Sequence, residues 1–355
     1  MSGAKNKENA AVDFAKLFFC VCILFLHSGA YHDVAYGDYL QKTLLSLAVP
    51  FFFVASGYFL GTRMWTAGAE KLGEIVFRYE KRLLIPYIAF LMLNSCFSAY
   101  DLYVSGESFN WTVLRLVRAA IFYPPGALWY VWASLTGVLI FYILIKKTGI
   151  RRTCIIGLVC YCAGLLGNSY CFLLNGFGIQ RAVDLYLKIA VSTRNGLFVG
   201  FPLILLGVML AKYREKFTEK KAVYLSALIL LFSIILMFGE IALVSVRNAG
   251  YETALLISYP IIVSTVLVLL LNIRWSPINT ENMIVFRKLS MDIYFVHRPI
   301  LTCMRYFTAW VEVEISHMEE FFILAILSVA VCMPVAVYQR NKYRERKKGK
   351  VYLLK

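Results

Sequence analysis

The chain has 355 residues, of which 60% are hydrophobic, 15% aromatic and only 16% charged, a composition too apolar for a soluble domain and one that predicts a polytopic membrane protein. Its formal net charge of +16 would suit nucleic acid, but the basic residues fall in short clusters between apolar runs, as cytoplasmic loops do, and nucleic-acid binding is set aside. The nine cysteines lie almost wholly inside apolar runs with no CxxC pair and no metal-like Cys/His cluster, so they are expected to pack, and no metal site is expected.

Apolar windows bounded by charge or turn residues predict about ten membrane-spanning helices, near 11–31, 43–62, 83–104, 127–145, 153–173, 197–211, 222–241, 253–271, 289–309 and 321–339. The fold class is therefore all-α, one transmembrane domain over residues 1–355. Residues 1–10 form a cytoplasmic N-terminus and residues 340–355 a basic cytoplasmic tail, RNKYRERKKGK, that faces lipid and solvent.

The first span, AVDFAKLFFCVCILFLHSGAY, is expected to be a retained helix because it outruns a signal peptide and lacks a small-x-small cleavage site. It carries Asp13, Lys16 and His27, and ionisable groups at membrane depth face a protein or water-lined interior and are functional candidates. Lys16 and His27 stand eleven residues apart, so both project from one helix face, roughly 16 Å apart along the axis. Asp13 and Lys16, at i and i+3, are close enough to pair.

In the second span, VPFFFVASGYFLGTR, Pro50, Ser56 and Gly57 interrupt an aromatic run, and the plain reading is a kinked, closely packed helix. The stretch FRYEKRLLIPYIAF leads into the third span, with Arg78 and Arg82 at i and i+4 and Lys81 beside them. Spacing alone is explained by the bias of basic residues toward the cytosol; the functional alternative is an anion site, since guanidinium pairs grip phosphate bidentately. The fourth span opens PPGALWYVWASL, with Trp129 and Trp132 suited to an aromatic belt at the outer interface. The loops 105–126 and 174–196 each hold an amphipathic piece, FNWTVLRLVRAAIFY and IQRAVDLYLKIAV, able to lie in the interface.

The ninth span, RKLSMDIYFVHRPIL, places Ser290, Asp292, Tyr294, His297 and Arg298 within the membrane, too many polar groups for a lipid-facing helix. Tyr294, Arg298 and Arg305 share one face, and a structural network pairing Arg298 with a carboxylate such as Asp292 is the alternative to a functional role.

Taken in order, these segments resemble the acyltransferase-3 family of integral membrane acyltransferases, which includes the O-antigen acetylases. Lys16 and His27 match its first-helix motif of a basic residue, ten residues and histidine, with DFAK supplying the acidic residue upstream. FFFVASGYFL is similar to its aromatic-SG second helix, RYEKRLLIPY to its basic-LLIPY third helix, LWYVW to its fourth-helix motif and LSMDIYFVHRPI to its ninth-helix Ser-Ile-Tyr-His-Pro motif. The resemblance covers residues 11 to 340. The chain departs from the family pattern in having Lys16 where arginine is common, the spacing Arg78, Lys81, Arg82 rather than a plain RxxR pair, and Ala127 where a histidine is common. It carries neither the esterase-like domain nor the racemase domain found in some relatives.

The resemblance implies a multi-pass protein of the bacterial inner membrane that takes an acyl group, most often acetyl, from cytosolic acetyl-CoA or another acyl-CoA. The acceptor would be a hydroxyl of a cell-envelope carbohydrate or lipid-linked sugar, entering from the other side. A thioester is already activated, so the protein chiefly needs a base and positioning. His27 is the natural base, because an imidazole titrates near neutrality; an acyl-histidine intermediate is the variant. Arg78, Lys81 and Arg82 would hold the CoA phosphates and Lys16 would line the path to His27, with Asp13 beside it. Tyr294, His297, Arg298, Ser56 and Trp129 would position substrate. A transporter or permease-like module, in which the same buried charges line a path for an amino acid, is the rival reading.

Lys and Arg placement orients the chain. With the N-terminus inside, the cytoplasmic segments carry 27 basic residues and the outer segments 7, so both termini are expected in the cytoplasm. A reporter that works only in the exported compartment is therefore expected to stay silent when fused after Lys355; activity there would reverse the assigned orientation.

Overall fold

The computed structural model describes residues 9–247, 254–273 and 280–352, without the side chains of 69, 280, 281 and 346–352. Up to residue 8 the expected cytoplasmic start lies outside the described residues, as does the end of the basic tail. The described chain is helical, and no strand occurs among the described residues.

In order, the helices are α1 (Ala10–Ser28), α2 (Gly37–Lys42), α3 (Ala48–Ala67), α4 (Leu72–Val104), α5 (Phe109–Phe122), α6 (Trp129–Leu166), α7 (Ile179–Ala190), α8 (Phe201–Lys212), α9 (Lys220–Arg247), α10 (Ser258–Asn272), α11 (Thr280–Trp310) and α12 (His317–Tyr352). Among the described residues, six helical stretches are long and apolar enough to cross a bilayer: α1, the run from Gly37 to Ala67, α4, α6, α9 and α12. The expected fourth span and the fifth as far as Leu166 fall in α6, which is broken at Gly149 by a backbone at φ 72° and ψ 170°, a left-handed φ that glycine adopts without strain. The sixth and eighth correspond to shorter apolar helices, Gly196–Lys212 and Ser258–Asn272, and the ninth falls within α11. The basic stretch before the third span is helical too, because α4 starts at Leu72.

The chain divides into two compact units, one of residues 1–48 and 269–355, the other of 49–268. In the first, α1 packs on α11 and α12, which pack along each other. α1 and α11 run parallel, since contacts advance together along both: Asp13 with Arg287, Cys20 with Ser290, His27 with His297. α12 returns antiparallel to α11, with Glu320 against Arg305 and Arg340 near Asn282.

The helix ends of this unit are closed by side chains. Asn9 accepts from the Val12 amide at 3.1 Å and donates to the carbonyls of Leu270 and Leu271, filling the N-cap role that short polar residues serve. Gly29 ends α1 at φ 83°, the left-handed stop favoured by glycine. Beyond it Asp33 accepts from the Met318 amide at 2.8 Å, so the segment after α1 caps α12. Ser316 and Glu319 complete a reciprocal capping box there: the Glu319 carboxylate accepts from the Ser316 amide at 2.8 Å and the Ser316 hydroxyl from the Glu319 amide at 3.2 Å.

The second unit is built on glycine contacts. A Cβ on Gly57 would come within 2.1 Å of the Ile204 carbonyl oxygen, and one on Gly207 within 2.1 Å of that of Val54, so α3 and α8 touch backbone to backbone, as small residues permit in membrane helices. The π-helical turn Gly196–Gly200 lies on α6 in the same way, with Gly200 against the Ala133 carbonyl. Glu240, buried near the end of α9, accepts from Tyr170 Oη and from the amides of Ile257 and Ser258, the last at 3.1 Å. It thereby satisfies amides that open α10. The two amphipathic pieces are helical as expected: α5 buries no residue and α7 only Ala190, and Arg118 of α5 donates to the carbonyls of Lys188 and Ile189 on α7.

Candidate functional site

The N-terminal end of α1 holds a charge cluster. Asp13, 2% exposed, is gripped by Arg287 of α11, with Nη2 at 2.7 Å from Oδ2 and Nε at 3.3 Å from both carboxylate oxygens. Lys16 stands 4.0 Å from Oδ1. The pairing expected of Asp13 and Lys16 is thus the longer of two contacts, because a guanidinium fork on a neighbouring helix fits a carboxylate better than an ammonium one turn along the same helix. Arg287 was missed by sequence reasoning; the available signal was a near-buried aspartate that needs a partner, and an arginine that opens the ninth motif.

His27 lies three turns further along α1, in its last turn, and its ring is half-buried and stacked on that of His297, centroids 5.3 Å apart at 27°. His297 is fully buried. Its Nδ1 is 2.7 Å from the Tyr294 carbonyl and 3.3 Å from that of Ile293, and a carbonyl only accepts, so Nδ1 carries the proton. The Tyr294 ring lies 5.7 Å from that of His297, tilted at 54°. Three residues expected separately, a first-helix histidine and a tyrosine and histidine of the ninth motif, thus meet in one aromatic cluster. Lys16 is not part of it; the helical rise separates Lys16 and His27 by roughly 16 Å. Arg298 follows His297, half-buried on α11. The carboxylates nearby take other partners: Asp292 pairs with Lys288 at 2.7 Å and Glu320 with Arg305 through a two-pronged contact of 2.7 and 2.8 Å.

The remaining expected residues belong to the second unit. Arg78, Lys81 and Arg82 are exposed on α4. Arg78 pairs with Glu74 at 3.2 Å, while the Arg82 guanidinium sits 5.9 Å from the ring centre of Tyr79. Ser56 lies beside the hydroxyls of both Tyr79 and Tyr130, so the aromatic-SG helix, the basic helix and the LWYVW helix converge on one cluster of hydroxyls. Trp129 stacks on Tyr123, nearly parallel at 7°, and Arg194 reaches both: its guanidinium is 5.0 Å from the Trp129 ring centre and Nη2 donates to Tyr123 Oη at 2.5 Å. Tyr79, Tyr130 and Arg194 had no distinguishing signal in sequence, since tyrosines and a loop arginine are ordinary at membrane interfaces.

Comparison with known proteins adds identity to this geometry. The model of the acyltransferase-3 family, described as an acyltransferase domain, matches residues 9–337. An amino-acid racemase of Enterococcus faecalis is 26% identical over 246 residues, 66% of this chain and 32% of that protein. A serine/alanine racemase of Enterococcus gallinarum is 24% identical over 341 residues, 95% of this chain and 47% of that protein. This chain therefore spans less than half the length of the curated relatives it matches. No solved structure matches.

The Asp13 cluster predicts an order of effects. Arg287→Ala leaves a nearly buried carboxylate with only the longer Lys16 contact and is expected to cost roughly 2–4 kcal/mol, somewhat below the figure for a fully buried pair because Arg287 is itself 40% exposed. Lys16→Ala should cost less than 1 kcal/mol. Thermal unfolding of the detergent-solubilised variants checks this ranking, and equal losses would contradict it.

Proposed function

The chain belongs to the acyltransferase-3 family, and from that premise we propose that it transfers an acyl group, acetyl in the simplest case, from cytosolic acyl-CoA to a hydroxyl of a cell-envelope glycan or lipid-linked sugar. In this reading it crosses the bacterial inner membrane ten times with both termini in the cytoplasm, as the basic-residue asymmetry favours. The observation that carries the proposal is the placement of His27: a half-buried imidazole in an otherwise apolar helix turn, stacked on a second imidazole, in a chain matched over residues 9–337 by an acyltransferase model.

His27 acts as the general base. It takes the proton of the acceptor hydroxyl as that oxygen bonds to the thioester carbonyl carbon; the carbon–sulfur bond then breaks, and the departing thiolate receives the proton from the imidazolium. Arg78, Lys81 and Arg82 hold the CoA phosphates, since exposed basic side chains one turn apart on a helix suit an anion. Lys16 lines the donor's path, Ser56, Trp129, Tyr294 and Arg298 position the substrates, and His297 backs His27.

A catalytic base contributes typically 10²- to 10⁴-fold to rate. His27→Ala is expected to lower transfer from labelled acetyl-CoA by about that much while leaving CoA binding nearly intact. His27→Gln keeps hydrogen-bonding capacity but cannot take up a proton near neutrality, so near wild-type transfer by this variant would remove His27 from the role. On the donor side, replacing both Arg78 and Arg82 with Ala removes two charge-assisted contacts of about 1.5–3 kcal/mol each, so acyl-CoA affinity should fall at least about tenfold. Unchanged CoA binding in the folded double variant would reduce the pair to positive-inside anchors.

The names of the racemase relatives favour a second reading, a membrane module that moves an amino acid. Uptake of labelled serine by vesicles containing the purified chain, without acetyl-CoA, would establish it.

A further inference from the structure

We propose that His297 is a positioning residue for His27, a neutral ring whose face receives the positive charge that His27 acquires when it takes up the acceptor proton. The inference rests on the reading of His27 as base and deepens it.

Three observations carry it. The first is the stack itself, 5.3 Å between centroids at 27°, which sets the two imidazoles face to face rather than edge to edge. The second is the hydrogen bonding of His297: Nδ1 donates to the Tyr294 carbonyl at 2.7 Å, while buried Nε2 has no hydrogen-bond partner among the described residues. A proton on Nε2 would leave a buried donor unsatisfied on a cationic ring, the costly case for a group out of water, so Nε2 is bare and the ring neutral. The third is burial. His297 is fully buried whereas His27 is only half-buried, so an incoming hydroxyl meets His27, and His297 acts through it.

Together these define a division of labour between two residues of one type. His27 exchanges the proton. His297, clamped by its carbonyl and by the Tyr294 ring 5.7 Å away, holds the His27 plane and offers it a π face. A cation over an aromatic face out of water is stabilised by enough to change a rate roughly 3- to 30-fold. No bond to His297 forms or breaks.

The test uses the full chain in detergent with acetyl-CoA as donor and water as acceptor, read as release of labelled acetate. His297→Phe keeps a ring face and removes both nitrogens; His297→Asn keeps an amide to donate to the Tyr294 carbonyl and removes the ring. With CoA binding and thermal unfolding measured alongside, His297→Asn should lower kcat about tenfold at an unchanged KM for acetyl-CoA, and His297→Phe should restore kcat to within about threefold of the wild type. If the Asn variant restores turnover and the Phe variant does not, the ring face is not the agent and the proposal falls. A purely structural role would instead move stability, KM and kcat together in both variants. Because the chain has only four histidines, nitrogen NMR of histidine-labelled protein gives an independent reading. His297, assigned by its loss in His297→Phe, should show a protonated Nδ1 and a bare Nε2 at neutral pH, and an imidazolium pattern overturns the proposal. If wild type and His27→Ala release acetate equally, it is the assignment of His27 as base that fails, and the NMR result still judges the state of His297.

Discussion

A charged side chain placed among apolar helices has no water to answer it, so its partner must come from the protein, and that requirement fixes how these helices meet. Asp13 of α1 is met by Arg287 of α11, and Arg305 further along α11 is met by Glu320 of α12. One bidentate pair therefore lies on each of the two seams of α11, that with α1 and that with α12. Replacing such a pair with well-packed apolar residues is often close to neutral in stability, whereas removing one partner costs roughly 3–5 kcal/mol. The pairs consequently do less to hold the helices together than to penalise any other register. A slip of α1 by one turn along α11 would carry Asp13 about 5 Å from Arg287 and separate His27 from His297 in the same movement. The structural ion pair and the imidazole stack are set by one register.

Glu240 shows the same requirement met differently. Its carboxylate is satisfied by Tyr170 and by the amides of Ile257 and Ser258, so a buried acid serves as a helix cap and the charge sits against the positive end of α10. Asp13, Glu240 and Glu320 are the buried acids among the described residues, and each has a structural task. The bare Nε2 of His297 contrasts with them. That atom has no hydrogen-bond partner among the described residues, and its neighbour His27 lies in the last turn of α1, where the partial negative charge of the helix end favours a cation.

Most of the helical plan was legible from hydropathy, because a span needs a long apolar run whatever it packs against. α4, α9 and α12 contain the expected spans, α1 holds all of the first but its last three residues, which begin at the Gly29 stop, and the amphipathic loops hold helices. What hydropathy could not show were the ends and breaks. α4 begins about ten residues before its apolar part because nothing in RYEKR opposes a helix, and α6 carries one expected span and most of the next, which only Gly149 divides. The site was legible by type more than by contact. Asp13, Lys16, His27, Tyr294 and His297 were visible as polar residues in apolar runs, but a one-dimensional pattern records which face a residue occupies and not what lies opposite. So Lys16 was the natural partner for Asp13 until α11 brought Arg287 to it, and Arg298 and Asp292 were natural partners before Lys288 took Asp292. Tyr79, Tyr130 and Arg194 were hidden for a different reason: each is of a common type in a common place, and only packing around Ser56 and Trp129 distinguishes them.

The spacing of Lys16 and His27 is kept once both are placed. A basic residue and a histidine eleven positions apart on one helix lie roughly 16 Å apart along its axis, with Lys16 in the Asp13 cluster and His27 in the stack. The motif therefore measures a depth. It requires that one unbroken helix carry both residues, and α1 meets that condition: Ala10–Ser28 contains neither proline nor glycine, and the first left-handed residue comes at Gly29, after His27. A proline between them would bend the helix and move His27 relative to the charge cluster that fixes its register. α1 lacks such a break, while α4, α11 and α12 each contain a proline, so His27 is held at a set distance from the end of the helix where Asp13 is anchored.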